Sequence, residues 1–494
     1  MKAKINFPEL LLKIIIFIGL ALAILNFFYV RNLWVDELKI AKNLINKPIL
    51  ELLKPLDYYQ VAPIGFLFLE KFIASIFNYT DWSFRIITLL SYFASTYLIY
   101  KVTYSILKDK IHSLLSAALL CTSFNIFYFS LELKQYSLDV TICLLILLAT
   151  IKFSKSNTKK KVIIFTILGA LSIWFSNVSV IILFSAGLSL IFLFYKNRDR
   201  LKQLLVVFSG WLVSFSFYYF LFIHNHPAKV IMLTYWENAG AFLPKDILNV
   251  NFYKIVILKL YSLFKIFENK YIDILLIPIF LFSILYLWKK NKSTLVILIL
   301  PIIVHLTLSY LKIYPFTTRL ILYLYPIVFI LLTIGIFKLK SALKPSYLNI
   351  FYPLLFIPLL YNIYVVSKKN FIIEREEITK SLTFLNKKFS KNDKLYVYYA
   401  ANSGFIYYRN KFPQVSKIND ASIIFGKANR DNWPKYEVAI KAIKTPVWVL
   451  FSHVYGKTNK DEESYIIDLF LKNNFYIIEQ EKFTGSSIYK VTPN

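Results

Sequence analysis

Residues 10–30, LLLKIIIFIGLALAILNFFYV, form the first of many apolar stretches in this sequence of 494 residues. About 20 mostly apolar residues are enough to cross the hydrocarbon core of a bilayer. The stretch is too long for a signal peptide and lacks a small-residue cleavage site, so we expect it to be retained as a membrane span. The composition agrees, since 57% of the residues are hydrophobic, 17% are charged and the mean hydropathy is +0.55.

The apolar stretches predict a polytopic α-helical membrane protein with about eleven spans. The predicted spans are 9–30, 83–100, 112–130, 137–152, 162–177, 179–195, 203–223, 271–288, 294–311, 318–337 and 346–366. An alternative for 162–195 is one kinked span followed by a re-entrant piece.

The formal net charge of +30 reflects membrane topology rather than a nucleic-acid partner. Basic residues are concentrated in every second connector, and such connectors stay in the cytoplasm during insertion. This set comprises Lys2, Lys4, Lys101, Lys108, Lys110, Lys152, Lys155, Lys159, Lys160, Lys161, Lys196, Arg198, Arg200, Lys202, Lys289, Lys290, Lys292, Lys338, Lys340 and Lys344. We therefore predict a multi-pass protein of the cell (inner or plasma) membrane with a cytoplasmic N-terminus.

The remaining connectors are predicted to face outward. They are 31–82, 131–136, the turn near Asn177, 224–270, 312–317 and everything after Val366. We predict a membrane domain over 1–366, with large outer loops at 31–82 and 224–270, and a small extracytoplasmic α/β domain over 367–494. The small domain alternates helix and strand patterns but carries no Gly-rich phosphate loop and no Ser/His/Asp set. We expect it to be structural or to guide the substrate.

Four polar clusters mark the outer ends of predicted spans, where charges are expensive unless they are hydrated or paired. The clusters are Asp36 with Glu37; Asp57 with Gln60; Glu132, Lys134, Tyr136 and Asp139; and Tyr314 with Arg319. Because all lie on one side of the bilayer, we expect their loops to converge on a cavity. Plainer interpretations stay open: solvated carboxylates, an Arg319 side chain that reaches to the headgroups, and a structural ion pair between Lys134 and Glu132.

The sequence gives little indication of a metal or a disulfide. Cys121 and Cys143 both lie inside apolar stretches, which predicts neither a disulfide framework nor a cysteine metal site. His224 and His226 form a His-x-His pair without placed carboxylates, so we interpret them as polar loop residues. No cofactor is predicted with certainty, and a divalent metal stays open.

Six motifs together resemble a known class of membrane enzyme. They are WVDE (34–37), YYQVAPIGFLFLEK (58–71), DWSFR (81–85), ELKQYSLD (132–139), LTYWENAGAFLP (233–244) and YPFTTRLILYLYP (314–326). In this order the chain resembles polyprenyl-phosphate-sugar-dependent glycosyltransferases of the GT-C fold, the superfamily of the protein O-mannosyltransferases and the lipid A aminoarabinose transferase. The resemblance covers nearly the whole chain, and the acidic pair is its most specific part.

The resemblance implies a role for each cluster. Asp36, with Glu37 as its companion, would be the catalytic base or would bind the acceptor or a metal. Lys134, Arg319 and Arg85 would bind the donor phosphate. The remaining polar residues would bind substrate or support the site; they are Asp57, Gln60, Glu132, Tyr136 and Tyr314. The implied partners are a polyprenyl-phosphate sugar lipid, membrane lipids and a hydroxyl-bearing acceptor, which is a protein, a lipid or a glycan.

The chemistry suits one carboxylate and several cations. The leaving group of a polyprenyl-phosphate sugar departs as a stable phosphate anion, so a single base for the acceptor hydroxyl suffices. Hydrolysis of an unactivated glycoside, in contrast, typically needs two carboxylates. Two alternatives stay open. A secondary transporter would place polar groups near the bilayer midplane, and a non-catalytic lipid- or polymer-handling protein would need no base.

Overall fold

The computed structural model describes residues 6–29, 31–156, 158–344, 347–370, 375–390, 393–457 and 460–494. Lys2 and Lys4 of the predicted cytoplasmic set lie outside these residues. The chain divides into two compact units. The helical unit comprises Met1–Phe28 and Asn43–Asn370, and the mixed unit comprises Tyr29–Lys42 and Phe371–Asn494. The predicted outer loop 31–82 is thus shared between the two units.

The first part of the chain, up to Asn370, is built from helices and the loops that join them. Its helices are α1 (Phe7–Tyr29), α2 (Val35–Asn46), α3 (Ile64–Ile76), α4 (Ile86–Leu107), α5 (Lys110–Thr122), α6 (Phe124–Phe129), α7 (Tyr136–Ser154), α8 (Lys159–Phe175), α9 (Ser179–Phe194), α10 (Arg198–Tyr218), α11 (Ala228–Asn238), α12 (Val250–Ser262), α13 (Lys270–Lys290), α14 (Lys292–Tyr310), α15 (Tyr325–Ala342) and α16 (Leu348–Asn370). The unit boundary falls within α2.

Eight helical segments of the described chain are long and apolar enough to cross a membrane. They are Phe7–Tyr29, Ser83–Leu107, Tyr136–Ser154, Arg198–Ile223, Lys270–Lys290, Lys292–Tyr310, Thr318–Ala342 and Phe351–Lys368. The protein is therefore a multi-pass membrane protein, as predicted. The predicted spans 112–130, 162–177 and 179–195 form the shorter helices α5 with α6, α8 and α9, so the count of about eleven stays a prediction.

The core of the helical unit lies around α15, where every residue from Tyr325 to Ile336 is buried. A helix that is apolar on all sides is expected at the centre of a bundle. Beside it, α4 and α7 are joined by small hydroxyl side chains: Thr141 Oγ1 donates to the carbonyl of Ser91 at 2.8 Å, and Ser137 Oγ donates to the carbonyl of Thr88 at 2.9 Å. These bonds bring the N-terminal ends of α4 and α7 together, and with them the loops that precede both helices.

The mixed unit contains the predicted small α/β fold. Its strands are β1 (Lys394–Val397), β2 (Ile423–Phe425), β3 (Val447–Ser452), β4 (Gly456–Lys457), β5 (Lys460–Asp461), β6 (Phe475–Phe483) and β7 (Ser486–Pro493), and its helices are α17 (Ile378–Lys388), α18 (Asn402–Tyr408), α19 (Pro413–Ser416), α20 (Lys435–Lys441) and α21 (Glu462–Lys472). Five strands form a sheet in the order β2-β1-β3-β7-β6, with β1 parallel to β2 and β3, and β7 antiparallel to β3 and β6.

Candidate functional site

The acidic pair lies in the first turn of α2, where carboxylates are favoured by the helix dipole. Glu37 is completely buried, and its Oε2 accepts a hydrogen bond from the backbone N–H of Trp34 at 3.3 Å. A glutamate that bonds back to the start of its helix in this way caps the helix. Asp36 is half-buried. Neighbouring helix residues point about 100° apart, so the two carboxylates have different surroundings.

The backbone before the acidic pair is fixed by other parts of the mixed unit. The N–H of Leu33 donates to Tyr408 Oη at 2.8 Å, and the amide of Asn32 donates to the carbonyl of Glu376 at 3.0 Å. Thr379 Oγ1 in turn donates to Asn32 Oδ1 at 3.0 Å. These hydrogen bonds to the Leu33 backbone and to the Asn32 side chain restrict the conformation of the segment before α2.

Glu376 forms a second anchor, which we call the Glu376 network, with His453 and Tyr455. Glu376 Oε1 lies 2.5 Å from His453 Nδ1, and His453 Nε2 lies 2.9 Å from Tyr455 Oη. The same oxygen of Glu376 accepts from the backbone N–H of Val35 at 3.5 Å. Since Val35 directly precedes Asp36, the Glu376 network contacts the backbone at the start of α2.

Lys134 and Gln60 are brought together, although 74 residues separate them. Lys134 is buried, and its Nζ donates to Gln60 Oε1 at 2.9 Å. Arg85, also buried, lies at the start of α4. The loop with Lys134 ends at α7, whose N-terminal end lies beside that of α4, so the two predicted phosphate-binding cations occupy the same end of the bundle. Glu132 is fully buried in the same turn, where its carbonyl accepts from the N–H of Lys134 at 2.7 Å.

The loop between α14 and α15 carries Tyr314 and Arg319. His305 of α14 fixes this loop, because its Nε2 lies 3.0 Å from the carbonyl oxygen of Pro315 and its Nδ1 lies 2.8 Å from Tyr323 Oη. The ring of Tyr314 packs edge-on to His305 at 5.2 Å between centroids. Arg319 lies over the ring of Trp236 on α11, at 5.2 Å from its centroid, which is a cation–π contact.

The other predicted residues have local partners. Asp57 is mostly exposed; its Oδ1 lies 3.0 Å from Lys47 Nζ. Tyr136 is buried at the start of α7, with its ring edge-on to Phe129 at 5.4 Å. Asp139 accepts a hydrogen bond from Ser176 Oγ at 2.6 Å, which joins α7 to the turn after α8. This hydrogen bond gives Asp139 a structural role between α7 and α8.

The sequence reasoning missed Glu70, a single carboxylate in the apolar helix α3. Glu70 is completely buried, and both of its carboxylate oxygens lack a hydrogen-bond partner among the residues that the structure describes. Burial raises the pKa of Glu70 well above its usual range. The next residue, Lys71, donates to the carbonyl of Leu44 at 2.5 Å. An ionisable pair inside FLFLEKF (66–72) was the available signal.

Over the described ranges there is no group of three or more His, Cys, Asp or Glu side chains placed to hold a metal ion. His226 Nδ1 instead accepts from the N–H of Ala228 at 3.2 Å, within its own turn.

The helical membrane unit and the small α/β unit together are similar in architecture to known GT-C glycosyltransferases. The family model described as dolichyl-phosphate-mannose-protein mannosyltransferase matches residues 61–223. No curated protein sequence matches significantly.

Two solved structures of one protein have a similar fold over nearly the whole chain. ArnT from Cupriavidus metallidurans bound to undecaprenyl phosphate superposes with a TM-score of 0.55 at 9% sequence identity, covering 96% of this chain and 97% of that chain. Its apo state gives a TM-score of 0.53 with the same identity and coverage. The Archaeoglobus fulgidus oligosaccharyltransferase tethered with an acceptor peptide is more distant, with a TM-score of 0.49, 11% identity, and coverage of 96% of this chain and 69% of that chain. The chain has the GT-C fold, as the sequence motifs implied.

Proposed function

We propose that this protein is an integral membrane glycosyltransferase that moves a sugar from a polyprenyl-phosphate donor to a hydroxyl acceptor on the outer face of the membrane. The observation that carries the proposal is the acidic first turn of α2, with Asp36 half-buried, within a chain that has the GT-C fold from end to end. The match to the mannosyltransferase family model over residues 61–223 supports it. The alternating basic connectors support a cytoplasmic N-terminus and an extracytoplasmic mixed unit.

Asp36 is the general base in this proposal. It accepts the proton of the acceptor hydroxyl while that oxygen forms a bond to the anomeric carbon of the donor sugar. The bond between the anomeric carbon and the phosphate oxygen breaks, and its electron pair leaves with the polyprenyl phosphate. A positioned base contributes about 10²- to 10⁴-fold to such a step.

Glu37 is a positioning residue rather than a second base. Its carboxylate is completely buried and bonds back to the N–H of Trp34. This bond stabilises the first turn of α2, on which Asp36 lies, and it leaves the proton transfer to Asp36 alone.

Arg85, Lys134 and Arg319 stabilise the negative charge that develops on the leaving phosphate. Electrostatic stabilisation by fixed charges in a site with little water usually contributes more to the rate enhancement than proton transfer does. Gln60 holds the Lys134 ammonium at 2.9 Å, and Trp236 supports the flat face of Arg319. Both contacts limit the motion of the cations before the donor binds.

The test is direct transfer by the purified full-length chain. A polyprenyl-phosphate sugar labelled in the sugar is incubated with envelope-derived acceptors, and both labelled product and released polyprenyl phosphate are measured. We expect the two to appear in equal amounts and to be lost in Asp36→Asn. Movement of intact donor across a vesicle membrane without release of polyprenyl phosphate would refute the proposal in favour of transport.

A further inference from the structure

The carboxyl ends of three parallel strands in the mixed unit carry a group of flat side chains. The strands lie in the order β2-β1-β3, so the chain leaves β1 toward β2 on one side and returns to β3 on the other. In open α/β sheets, ligands bind outside the carboxyl ends of the strands at such a point of reversal. Tyr399 follows β1, Arg430 follows β2 and Tyr455 follows β3. We call these three residues the aromatic surface.

The side chains of the aromatic surface form a stack. The rings of Tyr399 and Tyr455 are nearly parallel, with 9° between their planes and 6.4 Å between their centroids. The Arg430 guanidinium lies 3.2 Å from the Tyr455 centroid and 5.3 Å from the Tyr399 centroid, and its Nε donates to Tyr399 Oη at 2.5 Å. Arg430 is exposed and both tyrosines are half-buried, so the stack reaches the solvent.

The loop that carries Arg430 is fixed on both sides of this residue. Before it, the N–H of Asn429 donates to Tyr436 Oη at 3.2 Å. After it, the ring of Trp433 packs against Tyr465 of α21 at 5.1 Å between centroids. A surface that is ordered before the ligand arrives loses less conformational entropy on binding.

A buried carboxylate, Glu462 at the start of α21, supports the aromatic surface. It is only 1% exposed, and its Oε2 accepts hydrogen bonds from Tyr398 Oη and, at 3.0 Å, from Tyr399 Oη. Its other oxygen, Oε1, accepts no hydrogen bond from the residues that the structure describes, and a buried acceptor without a donor is costly. Tyr399 thus contacts one carboxylate and one guanidinium, whose charges balance.

We propose that the aromatic surface binds a neutral saccharide, with a pyranose ring packed on the exposed parts of the flat side chains. One face of a pyranose carries mainly C–H groups, which suit amphipathic rings. Its hydroxyls both donate and accept, so they match tyrosine hydroxyls, a guanidinium and a carboxylate.

Two observations disfavour an anion as the occupant. A phosphate near Arg430 would also meet the negative charge of Glu462. In addition, the loop after β1, YYAANS (398–403), has no glycine, unlike the Gly-rich phosphate-binding turn that follows the first strand in dinucleotide-binding folds. Because the mixed unit is predicted to face outward, the saccharide belongs to a glycan outside the membrane. The proposal does not depend on sugar transfer, since binding is measured directly.

The test is a binding measurement on the full-length chain in lipid nanodiscs, because sugar-based detergents would compete with the probes. The probes are mannopentaose, cellopentaose and chitopentaose, and the competitors are inorganic phosphate and a polyprenyl-phosphate sugar. Saturation-transfer NMR detects contact between pyranose C–H groups and aromatic rings, and calorimetry gives the affinity.

The variants are Arg430→Ala, Arg430→Lys and Tyr399→Ala. The matched controls are Lys441→Ala, which removes an exposed cation of α20, and Tyr476→Ala. Tyr476 is a tyrosine of β6, at the far edge of the sheet, that is 49% exposed. Tyr455 is left unchanged because it also belongs to the Glu376 network.

We expect at least one oligosaccharide to bind, with saturation transfer to its ring protons. Since stacking on a flat side chain contributes about 10-fold or more to affinity, Arg430→Ala and Tyr399→Ala should each lose about 10-fold and the controls less than about 2-fold. Arg430→Lys should lose nearly as much as Arg430→Ala, because it keeps the charge but not the plane. Arg430→Ala, at an exposed position, provides the measurement if Tyr399→Ala does not fold.

Four results would overturn the proposal. They are no binding of any oligosaccharide, equal losses in the control variants, full affinity in Arg430→Lys, and competition by inorganic phosphate or by the lipid-linked donor. Competition by the donor would show that the aromatic surface belongs to the donor site.

Discussion

Glu376→Gln tests whether the mixed unit positions the acidic pair. The amide keeps the shape of the side chain but replaces a charge-assisted hydrogen bond to His453 Nδ1, at 2.5 Å, with a neutral one. Bonds to charged groups contribute about 1.5–3 kcal/mol and neutral bonds about 0.5–1.5. The difference is about 1 kcal/mol. Since 1.4 kcal/mol is a factor of ten in an equilibrium constant, the equilibrium between the fixed and the displaced start of α2 shifts by about 5- to 10-fold toward the displaced form.

We therefore expect kcat for sugar transfer to fall about 5- to 10-fold in Glu376→Gln, with the apparent donor affinity unchanged within 2-fold. The bonds from Leu33 to Tyr408 and from Asn32 to the Glu376 carbonyl remain, so the chain should fold. The assay compares initial rates at saturating and limiting donor, together with thermal unfolding, for the variant and for Glu481→Gln. Glu481 is an exposed residue of β6 in the same unit and serves as the matched control.

A double-mutant cycle separates positioning from a general loss of stability. If Glu376 acts through Asp36, adding Glu376→Gln to Asp36→Asn should change the remaining rate by less than 2-fold, because coupled residues are not additive. An equal further loss in the Asp36→Asn background, or an unchanged kcat in the single variant, would refute the reasoning.

Three further predictions concern single side chains. Asp36→Asn should lower turnover by about 10²-fold or more. Glu37→Gln should lower turnover less and should reduce the free energy of unfolding by about 1 kcal/mol, because the cap of α2 is weakened. A larger rate loss in Glu37→Gln than in Asp36→Asn would make Glu37 the base and Asp36 the positioning residue. Arg319→Lys keeps the charge but loses the flat guanidinium over Trp236. Initial rates should therefore show a higher KM for the donor and a nearly constant KM for the acceptor. An unchanged KM for the donor in Arg319→Ala would show that Arg319 does not belong to the donor site. Burial raises the pKa of Glu70 in the folded chain, so its contribution to stability is fully present below the usual glutamate pKa and is lost as the pH rises through the raised value. The melting temperature should therefore depend less on pH between pH 5 and 9 in Glu70→Gln than in the unmodified chain. Identical pH dependence in the two proteins would contradict this.

The spans and the small α/β unit could be predicted because each depends on local pattern. Apolar runs such as 10–30 directly predict bilayer crossing. The short run of β-branched and aromatic residues in TPVWVLFS (445–452) predicts β3 (Val447–Ser452), which is buried throughout. Asp36 and Glu37 stand out for a similar reason, since two carboxylates follow an apolar run.

Other parts of the site depend on distant contacts or on burial, which one sequence does not reveal. The bond between Leu33 and Tyr408 joins residues 375 positions apart, so the attachment of 29–42 to the mixed unit has no local signal. Glu70 reads as an ordinary polar residue in an apolar helix until its complete burial is known. His305 likewise becomes informative only through the Pro315 carbonyl that it contacts.

The attachment of residues 29–42 to the mixed unit has a consequence for biosynthesis. These residues leave the ribosome first, while Glu376, Tyr408 and His453 are made more than 300 residues later. The start of α2 thus lacks its native hydrogen-bond partners during most of translation, and contacts of such high sequence separation form late in folding. Under the proposed function, a partly synthesised chain already inserted in the membrane would have its spans but no ordered base. Its activity would begin only after Glu376, Tyr408 and His453 have been made and hold the start of α2.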